Sequence, residues 1–436
     1  MNENNENKAE KLLQALSDAE DAMILAADPR NPAKRHLPLW TKIGSAAAAV
    51  LVAGGVTTAV MMNRSSGEMT PDCLKGTLTA DENLPKIYVE MKNAGMGYEG
   101  IAVPDISDYA SGNPWSEEQN ITVMPVYKNR VVKDQGFSIL TDVDSEEIVA
   151  EMKSVLIENA AALGVELTAD DIDDNLPTQE ERKIIAESYY AAWREEIPKG
   201  YFTPNNISYE TDEYIITTDS SFCTRIEFKQ PVSIPYALKT TYREQALEAA
   251  EYLITEYSDL LNMENPVAAI DGGDYALDDS GAHQLMFDIS VYDASGTIEQ
   301  RIENYFMRYV KFCTNDSGDL RTIHIRRDDL AGELVGNYPL ITAEEAAEKL
   351  KNGEYASSVP IPEDCTIDEY ARVELVYRTS ITDEYFIPYY KFWVDISDMM
   401  EFTGVGETIK HYGAFYVPAV QPEYIEDVPT YDGRFN

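Results

Sequence analysis

The chain has 436 residues, of which 77 are acidic and 35 are basic, so its formal net charge is −42. A field of that sign repels nucleic acids and other polyanions, and it excludes a nucleic-acid-binding role. Hydrophobic residues make up 44% of the sequence and aromatic residues 10%, which is too apolar for a disordered acidic tail. The length exceeds one usual hydrophobic core and predicts more than one domain or lobe.

The N-terminal segment, residues 1–42, predicts an amphipathic helix over Glu10–Ala27, before prolines that interrupt the chain. A helix this short cannot bury its apolar stripe against itself. It docks on a partner, associates with itself or lies on a membrane, and its acidic face argues against an anionic leaflet. We therefore expect a cytoplasmic partner to bind the stripe, which consists of Leu12, Leu13, Leu16, Met23 and Ile24.

The stretch Ile43–Met62 contains 20 residues and no charge. A helix rising about 1.5 Å per residue would span roughly 30 Å over that length, which matches the hydrocarbon core of a bilayer. We therefore predict a single transmembrane helix. A buried core helix and a cleaved signal peptide are the two alternatives. The second is disfavoured because the preceding residues 1–42 are too many and partly acidic.

Basic residues near this stretch predict its orientation. Those before it outnumber those after it, with Arg30, Lys34, Arg35 and Lys42 against Arg64 and Lys75. This excess favours a cytoplasmic N-terminus and an extracytoplasmic C-terminal part, with Trp40 and Lys42 as anchors at the inner headgroup level. Residues 1–42 contain seven acidic and six basic side chains, so nearly all the negative charge would lie outside.

The outer part is predicted to have an α+β fold, because helices alternate with runs of strands that favour antiparallel pairing. We expect a stalk over residues 63–82, a first lobe over 83–238 and a second lobe over 239–430. Each lobe would combine an antiparallel sheet with packed helices.

The elements of the first lobe follow from periodicity and capping signals. Helices are predicted from Asp144-x-x-Glu147 to Gly164 and from Thr178-x-x-Glu181 to about Glu196. Strands are predicted at Ile87–Met91, Ile101–Val103, Ile121–Val126, near Phe137, and at Ile207–Tyr209, Tyr214–Thr217 and Thr224–Phe228.

The second lobe is predicted to begin with a helix from Thr241-x-x-Glu244 through Leu261, and a shorter helix runs from Thr342-x-x-Glu345 to Gly353. Strands are predicted at Val267–Ile270, Gln284–Tyr292, Tyr305–Cys313, Leu320–Ile325 and Phe415–Val417. The aromatic-rich segments Val373–Tyr377 and Tyr385–Val394 predict a hairpin.

No pattern in the sequence identifies a catalytic, metal or cofactor site. The run Gly95–Gly100 matches GxGxxG, but a strand and not a helix is predicted after it, which favours a glycine-rich turn over a dinucleotide site. The acidic runs Asp170–Asp174 and Asp271–Asp279 offer oxygen ligands for calcium but lack the EF-hand pattern, so we expect solvated loops. HExxH and GxSxG do not occur.

Cysteines and aromatic residues leave alternatives open. The four cysteines, Cys73, Cys223, Cys313 and Cys365, allow three disulfide pairings, and buried thiols are an equal alternative. Their spacing does not resemble a zinc site. The aromatic runs Tyr385–Trp393 and Tyr412–Ala419 would pack on both faces of a sheet, with exposed members as the alternative sites for sugars or peptides.

Five motifs of the outer part occur together as a set: Tyr98-Glu99-Gly100, Met124–Asn129, Gly272–Tyr275, Tyr338–Thr342 with Glu345-Ala346, and Tyr416–Ala419. They resemble a family of membrane-anchored extracytoplasmic proteins of clostridia-like Gram-positive bacteria. The second lobe is similar in style to accessory regulators of the cell-wall-sensing histidine kinase. The front end resembles a membrane-bound anti-sigma factor of the non-zinc kind, since residues 1–42 contain no cysteine.

This resemblance implies an envelope sensor or regulator that acts by binding, and it implies no catalytic residues. Its inner partner would be a sigma factor or a kinase, and the outer part would bind an unidentified ligand. Two alternatives belong to other classes. A cell-envelope hydrolase would carry a concave site lined by carboxylates with shifted pKa values. A passive surface-assembly protein would have no inner partner.

Overall fold

The described part of the chain consists of antiparallel β-sheets with packed helices, which confirms the predicted α+β class. A computed structural model describes residues 76–89, 98–134, 138–235, 243–277, 283–315, 317–362, 365–399 and 409–426. All of them belong to one compact unit, Glu68–Asn436. None of the helices in these ranges is long and apolar enough to cross a bilayer. The predicted tail and Ile43–Met62 lie outside the described residues.

Seventeen strands are present in the described ranges. They are β1 Ile87–Tyr88, β2 Gly100–Val103, β3 Val123–Asn129, β4 Asn206–Glu210, β5 Tyr214–Asp219, β6 Thr224–Val232, β7 Pro266–Leu277, β8 His283–Asp293, β9 Tyr309–Thr314, β10 Leu320–Ile325, β11 Gly332–Pro339, β12 Ala356–Ser357, β13 Arg372–Tyr377, β14 Tyr385–Phe386, β15 Pro388–Asp395, β16 Lys410–Pro418 and β17 Ile425–Glu426. The two-residue strands β1, β12, β14 and β17 depend on their neighbours for stability.

Seven α-helices accompany these strands in the same ranges. They are α1 Ser145–Ala162, α2 Gln179–Trp193, α3 Arg243–Glu256, α4 Ser258–Leu261, α5 Ile298–Met307, α6 Asp328–Ala331 and α7 Ala343–Lys351. Helix α1 buries Ile148, Met152 and Leu156, which recur at the spacing of one helical face.

The largest sheet has seven strands in the order β4–β5–β6–β10–β9–β8–β7, and every neighbouring pair is antiparallel. Helix α1 contacts β5, and helix α3 contacts β7 and β8. Helix α5 connects β8 to β9 and also contacts β13, a strand of another sheet. It therefore links the two main sheets.

The second main sheet has the order β12–β16–β15–β13, and β2 also pairs with β16. Its central strands are the predicted aromatic runs, and Tyr389, Tyr390, Phe392 and Trp393 are all buried. Because adjacent residues point to opposite faces of a sheet, both faces are covered. These aromatic side chains belong to the core and are not an exposed binding platform.

Two smaller sheets join the beginning of the described chain to its end. Strand β3 lies between β11 and β14, and β1 pairs in parallel with β17 through Ile87 and Ile425. Together with the β2–β16 pair, they place the first three strands next to strands from residues 332–426.

Strand pairing also runs across the predicted lobe boundary at 238/239. Strand β6 lies before that boundary and pairs with β10, which lies after it. One hydrophobic cluster contains buried residues from Ile87 to Ile425. The division into lobes 83–238 and 239–430 therefore does not coincide with separate sheets or separate cores.

Capping signals located several helices correctly. Thr178 with Glu181 and Thr342 with Glu345 form reciprocal capping boxes at the starts of α2 and α7. Asp144 precedes α1 as predicted, although its side chain makes no capping hydrogen bond. Strand β11 and helix α5 were not predicted.

The predicted strand Tyr305–Cys313 is wrong in its first part, because Tyr305–Met307 form the last turn of α5 and the strand begins at Tyr309. The aromatic residues there favour strands, whereas the capping box of Thr297 and Gln300 begins a helix.

A charged network fastens the start of β2 to the second main sheet. The Glu99 carboxylate accepts hydrogen bonds from Lys391 Nζ at 2.7 Å and from the Tyr416 hydroxyl at 2.6 Å. The same ammonium lies 4.2 Å from the ring centroid of Trp393. Burial raises the pKa of Glu99, but the charge and hydrogen bond of Lys391 outweigh it and lower that pKa overall.

We predict that Lys391→Met lowers the free energy of unfolding by about 2–3 kcal/mol, because Glu99 then lacks its counter-charge. About a third of the Glu99 side chain is exposed, so the cost stays below that of a fully buried pair. Urea unfolding of the full chain measures it. The double variant Glu99→Gln/Lys391→Met should recover most of the loss; equal stability of the single and double variants would show that the ion pair does not matter.

Candidate functional site

The chain at the end of the predicted stalk is held to helix α5 by one carboxylate. Glu299 accepts hydrogen bonds from the backbone N–H groups of Thr77 and Leu78, the second at 3.0 Å, and from the Thr77 hydroxyl at 3.4 Å. Glu299 is only 1% exposed. We call these three residues the Glu299 clasp. Residues 76–82, predicted as stalk, are thus part of the folded domain.

The position of Glu299 in the first turn of α5 explains why this carboxylate is ionised although it is buried. Burial by itself raises the pKa of Glu299, but backbone N–H groups, including those of Thr77 and Leu78, outweigh it and lower that pKa. The N-terminal end of a helix also favours negative charge. The clasp is therefore an anion held by N–H donors.

Neighbouring contacts hold the same segment on both sides of the clasp. The N–H of Gly76 donates to the carbonyl of Gln119 at 3.4 Å, and a Cβ at Gly76 would lie 3.1 Å from the Ile121 Cα. Asp81 exchanges two hydrogen bonds with Asn337 of β11, at 3.0 and 2.7 Å. The chain from residue 76 onward is therefore fixed at several points.

A second acidic residue of α5, Glu303, lies one turn after Glu299 and is bonded to β3. The Tyr127 hydroxyl donates to its carboxylate at 2.6 Å. Burial raises the pKa of Glu303 to about 7, and the negative charge of Glu299 adds to this, whereas the hydrogen bond from Tyr127 acts in the opposite direction. The Glu303–Tyr127 pair therefore changes its charge near neutral pH.

In both predicted acidic clusters, described side chains form hydrogen bonds within the protein; Asp274, Asp278 and Asp279 have side chains outside the described part. The Asp271 carboxylate accepts hydrogen bonds from the N–H of Gly112 and the hydroxyl of Tyr305, each at 2.7 Å, and its pKa is raised by burial. In the other cluster, Asp171 bonds to Thr168 and caps a short 3₁₀ helix. Among the described residues, no group of three or more His, Cys, Asp or Glu side chains is arranged to hold a metal ion.

The thiol of Cys223 lies in a buried polar cluster. Its Sγ is 3.5 Å from the Asp328 carboxylate, which also pairs with Arg326 at 2.7 Å. Burial raises the pKa of Cys223, so the thiolate that nucleophilic chemistry requires is disfavoured. Cys223 and Cys313 are free thiols, which favours the thiol alternative for these two.

Helix α2 is the most exposed helix of the described chain, and none of its residues is buried. It is attached through one side, where Tyr189 packs edge-on against Tyr201 at 5.5 Å and Arg182 lies 5.4 Å from the ring of Phe202. Arg182 also pairs with Glu146 of α1. The helix also exposes large apolar side chains, with Trp193 at 69% on the attached side and Ile184 at 50% on another side.

The residues expected to bind an inner partner, Leu12, Leu13, Leu16, Met23 and Ile24, lie outside the described residues, and so do Trp40 and Lys42. In the GxGxxG match, Gly100 begins β2, so a strand follows as predicted. No protein-family model matches the chain, and no curated protein is significantly similar to it.

Sequence reasoning missed the Glu299 clasp because helix α5 itself was missed. The signal was present, since Thr297-x-x-Gln300 opens a helix in which Glu299 and Glu303 are four residues apart. Their partners Thr77 and Tyr127 are distant in sequence, and no local pattern indicates those contacts.

We predict that Glu303→Gln removes a pH dependence of stability between about pH 4.5 and 7. The native Glu303 keeps its proton up to about pH 7, whereas the unfolded chain loses it near the ordinary value of 4.5. In that window the unfolded state binds fewer protons, so wild-type stability falls as pH rises, by at most about 3 kcal/mol from this group. Glutamine stays neutral and keeps an acceptor for Tyr127.

Unfolding of the full chain at pH 5, 6, 7 and 8 measures the effect, with Glu333→Gln on the exposed surface of β11 as the control. Glu303→Gln should gain stability relative to wild type as pH rises, and the control should follow wild type. A constant difference between Glu303→Gln and wild type across this range would contradict the prediction.

Proposed function

We propose that the chain is a single-pass membrane protein that senses or regulates at the cell envelope by binding. In this proposal residues 1–42 are cytoplasmic, Ile43–Met62 spans the membrane and residues 63–436 are extracytoplasmic. The uncharged stretch and the excess of basic residues before it support this layout. The regulatory role in this proposal comes from the resemblance to membrane-anchored regulators of Gram-positive bacteria.

The Glu299 clasp is the observation that carries the regulatory part. It joins the chain nearest the proposed membrane segment to a helix that contacts both main sheets. A flexible tether would not transmit a conformational change from the domain to the proposed membrane segment. A fixed attachment can transmit a change caused by ligand binding to the domain. A protein that only displays a domain at the surface needs no such attachment.

The inner half of the proposal concerns the apolar stripe Leu12, Leu13, Leu16, Met23 and Ile24. An amphipathic helix with such a stripe suits a groove on a partner protein. The partner would be a sigma factor or a kinase, in an anti-sigma-like or kinase-accessory role. No catalytic residue or cofactor is part of this proposal.

The layout is tested with the full chain carrying one epitope tag before Met1 and another after Asn436, expressed in a Gram-positive host. On intact protoplasts, antibodies should detect the C-terminal tag, and the N-terminal tag only after permeabilisation. Detection of the N-terminal tag on intact protoplasts, or protection of both tags, would rule out the proposed layout.

The inner partner is tested by placing a photo-crosslinking amino acid at Leu16, with Gln14 on the opposite side of the predicted helix as the control position. Leu16 should crosslink to a sigma factor or a kinase, Gln14 should not, and Leu12→Asp/Leu13→Asp in the chain labelled at position 16 should lose the signal. Adducts that are equal at both positions, or that contain only lipid, would contradict regulation through this stripe.

A further inference from the structure

Helix α2 carries a continuous stripe of apolar and small residues on the side away from its attachment. Its members are spaced i, i+1, i+4, i+7 and i+8, which places them on one face of an α-helix. All are exposed, with Ile184 at 50% and Ile185 at 36%. The stripe consists of Ile184, Ile185, Ser188, Ala191 and Ala192, and we call it the α2 stripe.

The side of α2 that does make contacts is a different one. Arg182 and Tyr189, which contact Phe202 and Tyr201, lie beyond the Ile185 edge of the stripe on the helix surface. Ile184 and Ile185 adjoin the small residues of the stripe, and contiguous exposed apolar surface of this kind marks interaction sites. Ala191, Ala192 and Ser188 are small enough to allow another helix to approach the backbone closely.

The surroundings of the α2 stripe are strongly acidic. Residues 142–196, which include α1 and α2, contain sixteen acidic and four basic side chains. Glu180 and Glu187 border the stripe along one edge, and Lys183 lies 3.9 Å from Glu187. Arg182 is already paired with Glu146. An apolar stripe in such a field attracts a partner that is itself basic.

We infer that the α2 stripe is the docking surface for a basic amphipathic helix of an extracytoplasmic partner protein. This inference rests on the proposed function, because it names the class of outer partner of that binding protein. The apolar face of the partner helix packs on Ile184 and Ile185, and its Lys or Arg side chains reach the carboxylates at the edge.

The same charges disfavour two other occupants. A second copy of this chain would bring its own acidic residues 142–196 against these, and like charges oppose that contact. An anionic lipid surface would be repelled for the same reason. Charge complementarity therefore selects a basic protein segment.

The probe for the test is a synthetic amphipathic peptide of about 18 residues built from leucine, alanine and lysine, with leucine on one face. A second peptide has glutamate in place of every lysine. Binding to the full chain, held in nanodiscs of zwitterionic lipid, is measured by fluorescence anisotropy at low and high salt. The lysine peptide should bind at least roughly tenfold more tightly than the glutamate peptide, and salt should weaken it.

Variants locate the binding site. Ile184→Ser/Ile185→Ser should weaken binding of the lysine peptide by roughly tenfold or more, because its apolar contact is lost. Ala191→Arg should weaken binding of the lysine peptide as well, because the arginine has the same charge as the peptide's lysines. Ala191 is exposed, so the helix tolerates the longer side chain. Leu334→Ser on β11 removes another exposed apolar side chain, 57% exposed, and should leave binding unchanged.

Several results would overturn the inference. They are unchanged binding in both α2 variants, equal affinity for the two peptides, and a dimer of the wild-type chain that Ile184→Ser/Ile185→Ser abolishes. Binding of the wild-type chain to anionic vesicles but not to the lysine peptide, lost in Ile184→Ser/Ile185→Ser, would also overturn it. The unfolding transition of each variant is measured in parallel. These outcomes do not depend on membrane orientation or on the inner partner, so they are distinguishable from failure of the proposed function.

Discussion

The domain depends on pairing between strands from opposite ends of the chain. Strand β2 adds to β16, β3 lies between β11 and β14, and β1 pairs with β17. None of these early strands has a neighbour close in sequence, so residues 76–129 cannot complete a sheet until the chain up to about residue 426 is available. Non-local pairing of this kind slows folding.

The same constraint explains how the N-terminal end of the domain becomes a fixed attachment. Once β1 and β3 are paired, residues 76–81 lie against α5 and β11, where Glu299 and Asn337 bind them. A buried carboxylate surrounded by N–H donors is expensive to leave unpaired, so the attachment is stable as long as the helix is in place. Strand pairing thus brings residues 76–81 next to α5, and the Glu299 clasp then holds them there.

Local structure followed from local signals, whereas the arrangement did not. The capping boxes at Thr178 and Thr342 correctly predicted the starts of α2 and α7. Runs of residues that favour strands predicted β4, β5, β6 and β10. The segment Tyr305–Met307 was wrongly predicted to be a strand. Its aromatic residues favour strands, and this preference competes with the helix-capping signal of Thr297. The predicted lobe boundary does not separate the sheets, because β6 pairs with β10 across it and no local residue pattern indicates such long-range pairing.

The candidate sites show the same division. The α2 stripe could be recognised in the sequence by its helical spacing, but its exposure depends on which side of α2 meets Tyr201 and Phe202. The raised pKa of Glu303 depends on burial and on the distance to Glu299, neither of which a sequence contains. The acidic surroundings of the α2 stripe, by contrast, could be predicted from the sequence, because charge follows directly from composition.

The central claim is that the N-terminal end of the described domain is fixed to its core by Glu299. Hydrogen–deuterium exchange of the full chain tests it directly, in wild type and in Glu299→Ala. We expect slow exchange at the amides of Thr77 and Leu78 in wild type, and faster exchange there in the variant while helix α7 is unaffected. Fast exchange of these two amides in wild type, or no change in the variant, would contradict the account.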